Sequence, residues 1–254
     1  MTTSLVAPEM QNLSSIKPRI DSEIDSLVAA LPDPKDLTPE QRRGIIARYS
    51  AVLEGNFIYW MTAAYLSVRS EEARPILIDN LREEIADCHP EMLRRFAVAA
   101  HAYPTEADAM AVRDGLTKVR TFLGRLQGVQ NVLTMGFFES YIQRFMSYLA
   151  DLAVTQGSTD LEYSDVHGIC DIAHSEGLLK ALSAEAEINP PDPAADLFEG
   201  VNKLRALIQT INGNGHCAQT CGLSGSVALH EGSCSRFPVG GAICPGTVKL
   251  SVHP

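Results

Sequence analysis

Between residues 38 and 211 the apolar positions fall three and four apart, block after block, the period of helices that bury one face. Thr38-Pro39-Glu40-Gln41 opens the first block as a capping box with proline at the first helical position. Ile45, Ile46, Tyr49, Leu53, Phe57, Trp60 and Met61 then predict one helix to about Arg69. Ser70-Glu71-Glu72 starts the next, with Ile76, Leu77, Leu81 and Ile85 inward and Pro75 early enough to be tolerated. Asp87-Cys88-His89-Pro90 breaks it. Proline disfavours helix at the residue before it and suits the first turn after it, so His89 stands where a helix through Met92, Leu93 and Phe96 begins. Pro104-Thr105-Glu106 opens a helix to about Leu126, and Gly128 leads into a long one carrying Val132, Leu133, Phe137, Phe138, Tyr141, Ile142, Phe145, Leu149 and Leu152. A second capping box, Thr159-Asp160-Leu161-Glu162, starts a helix that fades at Ile188-Asn189-Pro190-Pro191; a last helix spans roughly 193–211.

Residues 1 to about 20 read as a loose polar arm, followed by a short helix through Ile20, Ile24, Leu27 and Leu31 that ends at Pro32. No alternating strand pattern stands before residue 212, and no repeat of 20–50 residues is found. The expectation is an all-α fold. Residues 1–37 form an arm and short helix, and 38–211 a single bundle of about seven helices. From Asn212 the pattern is lost: 43 residues hold eight glycines and four cysteines. This tail reads as disordered. The other reading is a small metal-binding tail through His216, Cys217 and Cys221, for which a C-x3-C spacing without a second pair is weak support.

Composition narrows the partners. The chain has 254 residues, 45% of them hydrophobic, and no apolar run near the ~20 needed to cross a bilayer. A net charge of -10 and a pI of about 5.1 speak against nucleic acid or an anionic membrane. The N-terminal residues lack a basic region followed by an apolar core, so no secretory signal is expected. Cys88 and Cys170 in the body, and Cys217, Cys221, Cys234 and Cys244 in the tail, then read as thiols of a cytoplasmic protein.

Chemistry concentrates in Asp165-Val166-His167-Gly168-Ile169-Cys170-Asp171-Ile172-Ala173-His174. His167, Asp171 and His174 are spaced i, i+4, i+7 and share one helix face. Two imidazoles and a carboxylate there supply half of a metal site, and flanking Val166, Ile169, Ile172, Leu178 and Leu179 point to burial. Further carboxylates lie upstream. Glu139 follows Phe137-Phe138 near an inward face, and Glu83 and Glu84 precede the break at His89. Glu84 and His89 are i, i+5 and do not share a face on a straight helix, so the break must bring them together.

These residues resemble the heme-oxygenase-like diiron oxidases and oxygenases, fold relatives of the thiaminase II and PqqC proteins. The resemblance covers about residues 38–190 and rests on Asn80-Leu81-Arg82-Glu83-Glu84, His89-Pro90-Glu91-Met92-Leu93, Glu139, and His167-x3-Asp171-x2-His174. It implies two Fe(II) ions held by Glu84, His89, Glu139, His167, Asp171 and His174, with O₂ as co-substrate. The short interval before His89 leaves Glu83 and Glu84 open, and the ligands leave Fe and Mn open. Some nitrogen-oxidising members use an additional glutamate, for which Glu54 is the candidate. The implied substrate is small and amino-acid-derived or a carboxylate, in specialised metabolism. The implied outcome is N-oxygenation, desaturation or oxidative C–C cleavage. Arg144 is the candidate for gripping a substrate carboxylate, and Phe57, Trp60, Tyr65, Phe138, Tyr141 and Tyr163 are candidate pocket walls. Expected partners are that substrate and, as an option, a second copy in a homodimer. Two rivals stand beside this reading: a metal-free hydrolase of the thiaminase II kind with Cys88 or Cys170 as nucleophile, and a non-catalytic helical metal-binding protein.

Overall fold

The computed structural model describes residues 15–213, and among these every regular element is a helix. Nine follow in order: α1 (Ile16–Ala29), α2 (Pro39–Leu53), α3 (Asn56–Ser67), α4 (Ala73–Ala86), α5 (His89–Ala99), α6 (Glu106–Leu123), α7 (Gly128–Thr155), α8 (Glu162–Ile188) and α9 (Glu199–Ile211). The tail residues expected to be disordered, with His216, Cys217 and Cys221, lie outside the described residues, as does the start of the arm. No described helix is long and apolar enough to cross a membrane.

The spine is α7. Every residue from Gly128 to Glu139 is buried, so this stretch has no solvent face. Among the described elements α8 packs against it most extensively, with small residues at the contact: the Cβ position of Gly136 lies 3.6 Å from Leu178 Cβ. α1, α2, α3, α5 and α9 also contact α7, and Ile16, Ile20, Ile24 and Leu27 of α1 join the common core.

Local chemistry sets the ends. The Thr38–Gln41 capping box forms, with Thr38 N–H donating to Gln41 Oε1 at 2.8 Å and Gln41 N–H to Thr38 Oγ1 at 3.2 Å. Thr105 and Asp108 form another at α6. The box expected at Thr159–Glu162 does not form. A turn in which Asp160 N–H donates to Ser158 Oγ precedes α8, which begins at Glu162 without a side-chain cap.

The helix expected from Thr38 to Arg69 is two helices. Gly55 takes φ +75° and separates α2 from α3, a conformation that glycine reaches without steric cost. That break accounts for eight helices rather than about seven between residues 38 and 211.

Candidate metal centre

The expected break after α4 takes its shape from one residue. Cys88 adopts a left-handed conformation (φ 55°, ψ 41°), uncommon for a residue with a side chain, and α5 starts at His89. This reversal folds the first turn of α5 back onto the last turn of α4. His89 Nδ1 thereby meets Glu84 Oε1 at 2.8 Å although the two are five residues apart.

The other donors come from the spine and its partner. Glu139 projects from α7, and His167, Asp171 and His174 from one face of α8. Glu84, His89 and His167 offer ligand atoms within 4.8 Å of one another, and so do Cys170, Asp171 and His174. The two groups are linked: His167 Nε2 lies 3.9 Å from Glu84 Oε1, and His174 Nδ1 lies 3.7 Å from Asp171 Oδ1 and 3.9 Å from Glu139 Oε1. Exposure is 5% at Glu84, 4% at His89, 1% at Glu139, 4% at His167, 0% at Asp171 and 9% at His174, so six ionisable side chains share a nearly solvent-free space. Burial on this scale is unfavourable unless partners compensate.

α8 reverses the usual amphipathic rule around these residues. His167, Asp171 and His174 point inward, while Ile169 and Ile172 of the same turns are 75% and 49% exposed. The apolar flank that suggested burial therefore does not supply it at those two positions; α4, α5 and α7 do.

Hydrogen bonds fix the rings. His167 Nδ1 lies 2.9 Å from the carbonyl oxygen of Tyr163 and can only donate to it, which leaves Nε2 as the basic nitrogen of the neutral ring, toward Glu84. Asn80 Nδ2 donates to Glu139 Oε1 at 3.0 Å, and Cys170 Sγ–H to Asp171 Oδ1 at 3.2 Å. His174 Nε2 meets Glu83 Oε2 at 2.9 Å. Among the described residues Asp171 Oδ2 and His174 Nδ1 are buried without a hydrogen-bond partner, as is the Oδ1 of Asn80 beside them.

Charge is displaced accordingly. Burial, reinforced by Asp171, pushes the Glu139 carboxyl well above its usual range, against the pull of His174. Burial lowers the His174 imidazole, but the carboxylates of Asp171, Glu139 and Glu83 outweigh it and lift the group to about 9. At His89 burial is likewise outweighed, by Glu84, and the group rises. Burial prevails at His167, which falls despite Asp171 and Glu84. Burial and then Asp171 push the Cys170 thiol far up, the opposite of an activated nucleophile.

Of the remaining candidates, Tyr163 and Phe57 line the narrow cleft that reaches the cluster, beside Leu53, Ile58, Pro90, Leu93 and Ile142. Its free volume of about 20 Å³ holds roughly one water. The Tyr163 hydroxyl pairs with that of Tyr49 at 2.9 Å. Arg144 is elsewhere: it pairs with Asp21 and Asp25 and ties α7 to α1. Tyr141 stacks on Phe145 and bonds Asn212, while Phe138 packs between Phe57 and Trp60; neither lines the cleft. Glu54 caps the exposed end of α2 and is not among the clustered donors. Asn80 enters the sequence reading only as the start of the motif that leads to Glu84; its bond to Glu139 follows from standing four residues before Glu84, on the same helix face. No protein-family model matches the chain, and no curated protein is significantly similar to it.

Proposed function

We propose that the protein is a non-heme diiron oxidase or oxygenase of the heme-oxygenase-like kind, as the resemblance of its motifs implies. The observation that carries the reading is the convergence of Glu84, His89, Glu139, His167, Asp171 and His174, with Asp171 Oδ2 and His174 Nδ1 buried and without a hydrogen-bond partner among the described residues. Hydrogen-bonded networks leave few such atoms, and a bound cation would give both side chains a partner. A nitrogen-and-oxygen donor set of this composition suits Fe(II) and, by the same chemistry, Mn(II).

Glu84, His89 and His167 would hold one ion, and Asp171, His174 and Glu139 the other. Ferrous iron bound there supplies reductive activation of O₂. The chain's own residues do the rest. Leu53, Phe57, Ile58, Pro90, Leu93 and Ile142 keep bulk water from the cleft, and Asn80 holds Glu139 in place. The Tyr163 carbonyl keeps the proton of His167 on Nδ1, so that Nε2 stays basic. Among the described residues no lysine or arginine lines the cleft, so a substrate enters with an apolar portion foremost. Its free volume admits a diatomic gas, and anything larger must displace side chains such as Phe57 or Leu53. The substrate class stays that of a small amino-acid-derived or carboxylate compound, and the outcome N-oxygenation, desaturation or C–C cleavage. The raised Cys170 thiol argues against Cys170 as the nucleophile of a metal-free hydrolase.

Anaerobic loading with Fe(II), read by elemental analysis and Mössbauer spectroscopy, should show two irons per chain. O₂ consumption against a panel of amino acids and fatty acids then identifies the substrate. A folded chain that takes up no iron would end this reading.

A further inference from the structure

Glu83 and Glu84 are adjacent on α4 and therefore face directions about 100° apart. Glu84 is 5% exposed and lies against His89 and His167, whereas the Glu83 side chain is 54% exposed and reaches the cluster only at its rim, through His174. We infer that Glu83 is a positioning residue that turns His174 toward the metal centre, and that Glu84 alone of the two is a ligand. The inference rests on the diiron reading and assigns a role within it.

The argument follows from the two nitrogens of one ring. His174 Nε2 is 2.9 Å from a Glu83 carboxylate oxygen, which only accepts, so the proton of the neutral imidazole sits on Nε2. Nδ1 then carries the lone pair. Nδ1 is also the atom without a hydrogen-bond partner among the described residues, and it lies 3.7 Å from Asp171 and 3.9 Å from Glu139. A carboxylate on the far nitrogen of a metal-binding histidine fixes its tautomer and ring angle and raises its basicity. His167 obtains the same service from a backbone carbonyl, which substitution of a side chain cannot remove. His174 obtains it from the side chain of Glu83. The half-exposed position of Glu83 also means that its replacement leaves the packed core intact.

Equilibrium dialysis of the full metal-free chain against Co(II), with visible absorption of the bound ion, tests this on wild type, Glu83→Ala, Glu83→Gln and Glu84→Ala. Wild type should bind two Co(II). Glu83→Ala should keep both, one of them weakened about 10–100-fold, the range for loss of such an orienting partner. Glu83→Gln should recover part of that loss, because its amide oxygen still accepts from Nε2–H. Glu84→Ala should lose an equivalent outright. With two Co(II) bound to wild type, three results overturn the inference and leave the metal centre standing: an unchanged affinity in Glu83→Ala, a whole equivalent lost there, or no recovery in Glu83→Gln. Helicity of Glu83→Ala should match wild type. A folded wild-type chain that binds no Co(II) overturns both the diiron reading and this inference.

Discussion

Glu139→Gln separates what the cluster does for stability from what it does for metal binding. The glutamine keeps the shape of the side chain and its oxygen still accepts from Asn80 Nδ2, which bonds Glu139 Oε1 at 3.0 Å. What it removes is an acid whose charged form is disfavoured by burial, by Asp171 and by Glu84, and favoured by His174 and Asn80. The carboxyl lies well above its usual range, so the unfavourable influences win. Removing one partner of a buried ion pair costs about 3–5 kcal/mol where the pair is net favourable. At Glu139 the charged form is net disfavoured, so the neutral glutamine should instead stabilise the metal-free chain at neutral pH, by about 1–2 kcal/mol after the lost attraction to His174. At roughly 2–4 °C per kcal/mol for a domain of this size, the metal-free variant should melt a few degrees above metal-free wild type. Metal should invert the order: at a hundredfold excess over Kd, one site adds about 2.7 kcal/mol to wild type. The variant, short of one ligand, should gain much less. Thermal melts and urea titrations in chelator and in Co(II) read both effects. The sign with pH adds a check. A native carboxyl that holds its proton more tightly than the unfolded one makes metal-free stability fall as pH rises above 4.5, the ordinary value, and Glu139→Gln should flatten that fall. A metal-free variant less stable than wild type, or one that gains equally from Co(II), would refute the reasoning.

His174 carries the same sign. Its imidazole is raised to about 9, so the stability it lends the metal-free protein is full below 6.5 and lost as pH rises through 9; His174→Gln should remove that slope in urea titrations across this window. Asp108 has the opposite sign: burial raises its carboxyl, but Arg43 and Thr105 outweigh burial and hold it below 3.8. Asp108→Asn should cost about 1–2 kcal/mol at neutral pH through the lost charge in the α6 capping box and the Arg43 pair, the gap to wild type closing as pH falls through the native value. Arg144→Ala should cost about 0.5–1 kcal/mol through the partly exposed pairs to Asp21 and Asp25, and Co(II) stoichiometry should stay that of wild type.

The helical class was legible from the apolar period, and the break before His89 from Pro90. Gly55 was not, because the apolar spacing runs on across it and a lone glycine is tolerated in a helix. The left-handed Cys88 carries no signal in residue type, yet it is what closes Glu84 onto His89. Helix geometry accounts for the absence of Arg144 and Tyr141 from the cleft lining. At about 100° per residue, Arg144 stands roughly 140° round α7 from Glu139, and Tyr141 about 160°, both turned away. Ile142, three residues on and about 60° off, lines the cleft beside Glu139. The same arithmetic decides α8. Asp171 and His174 fall within about 40° of His167, whereas Ile169 and Ile172 fall about 160° and 140° away. A rule that buries isoleucine would turn this helix outside in. The observed rotation leaves 75% of Ile169 in solvent and buries three ionisable groups in its stead. The helix as a whole settles the rotation: Tyr163, Leu178, Ala181 and Leu182 fall within about 60° of His167 and are buried, so their apolar contacts hold α8 with its donor face inward. The same apolar contacts carry His167, Asp171 and His174 into the interior, where their burial is unfavourable unless partners compensate.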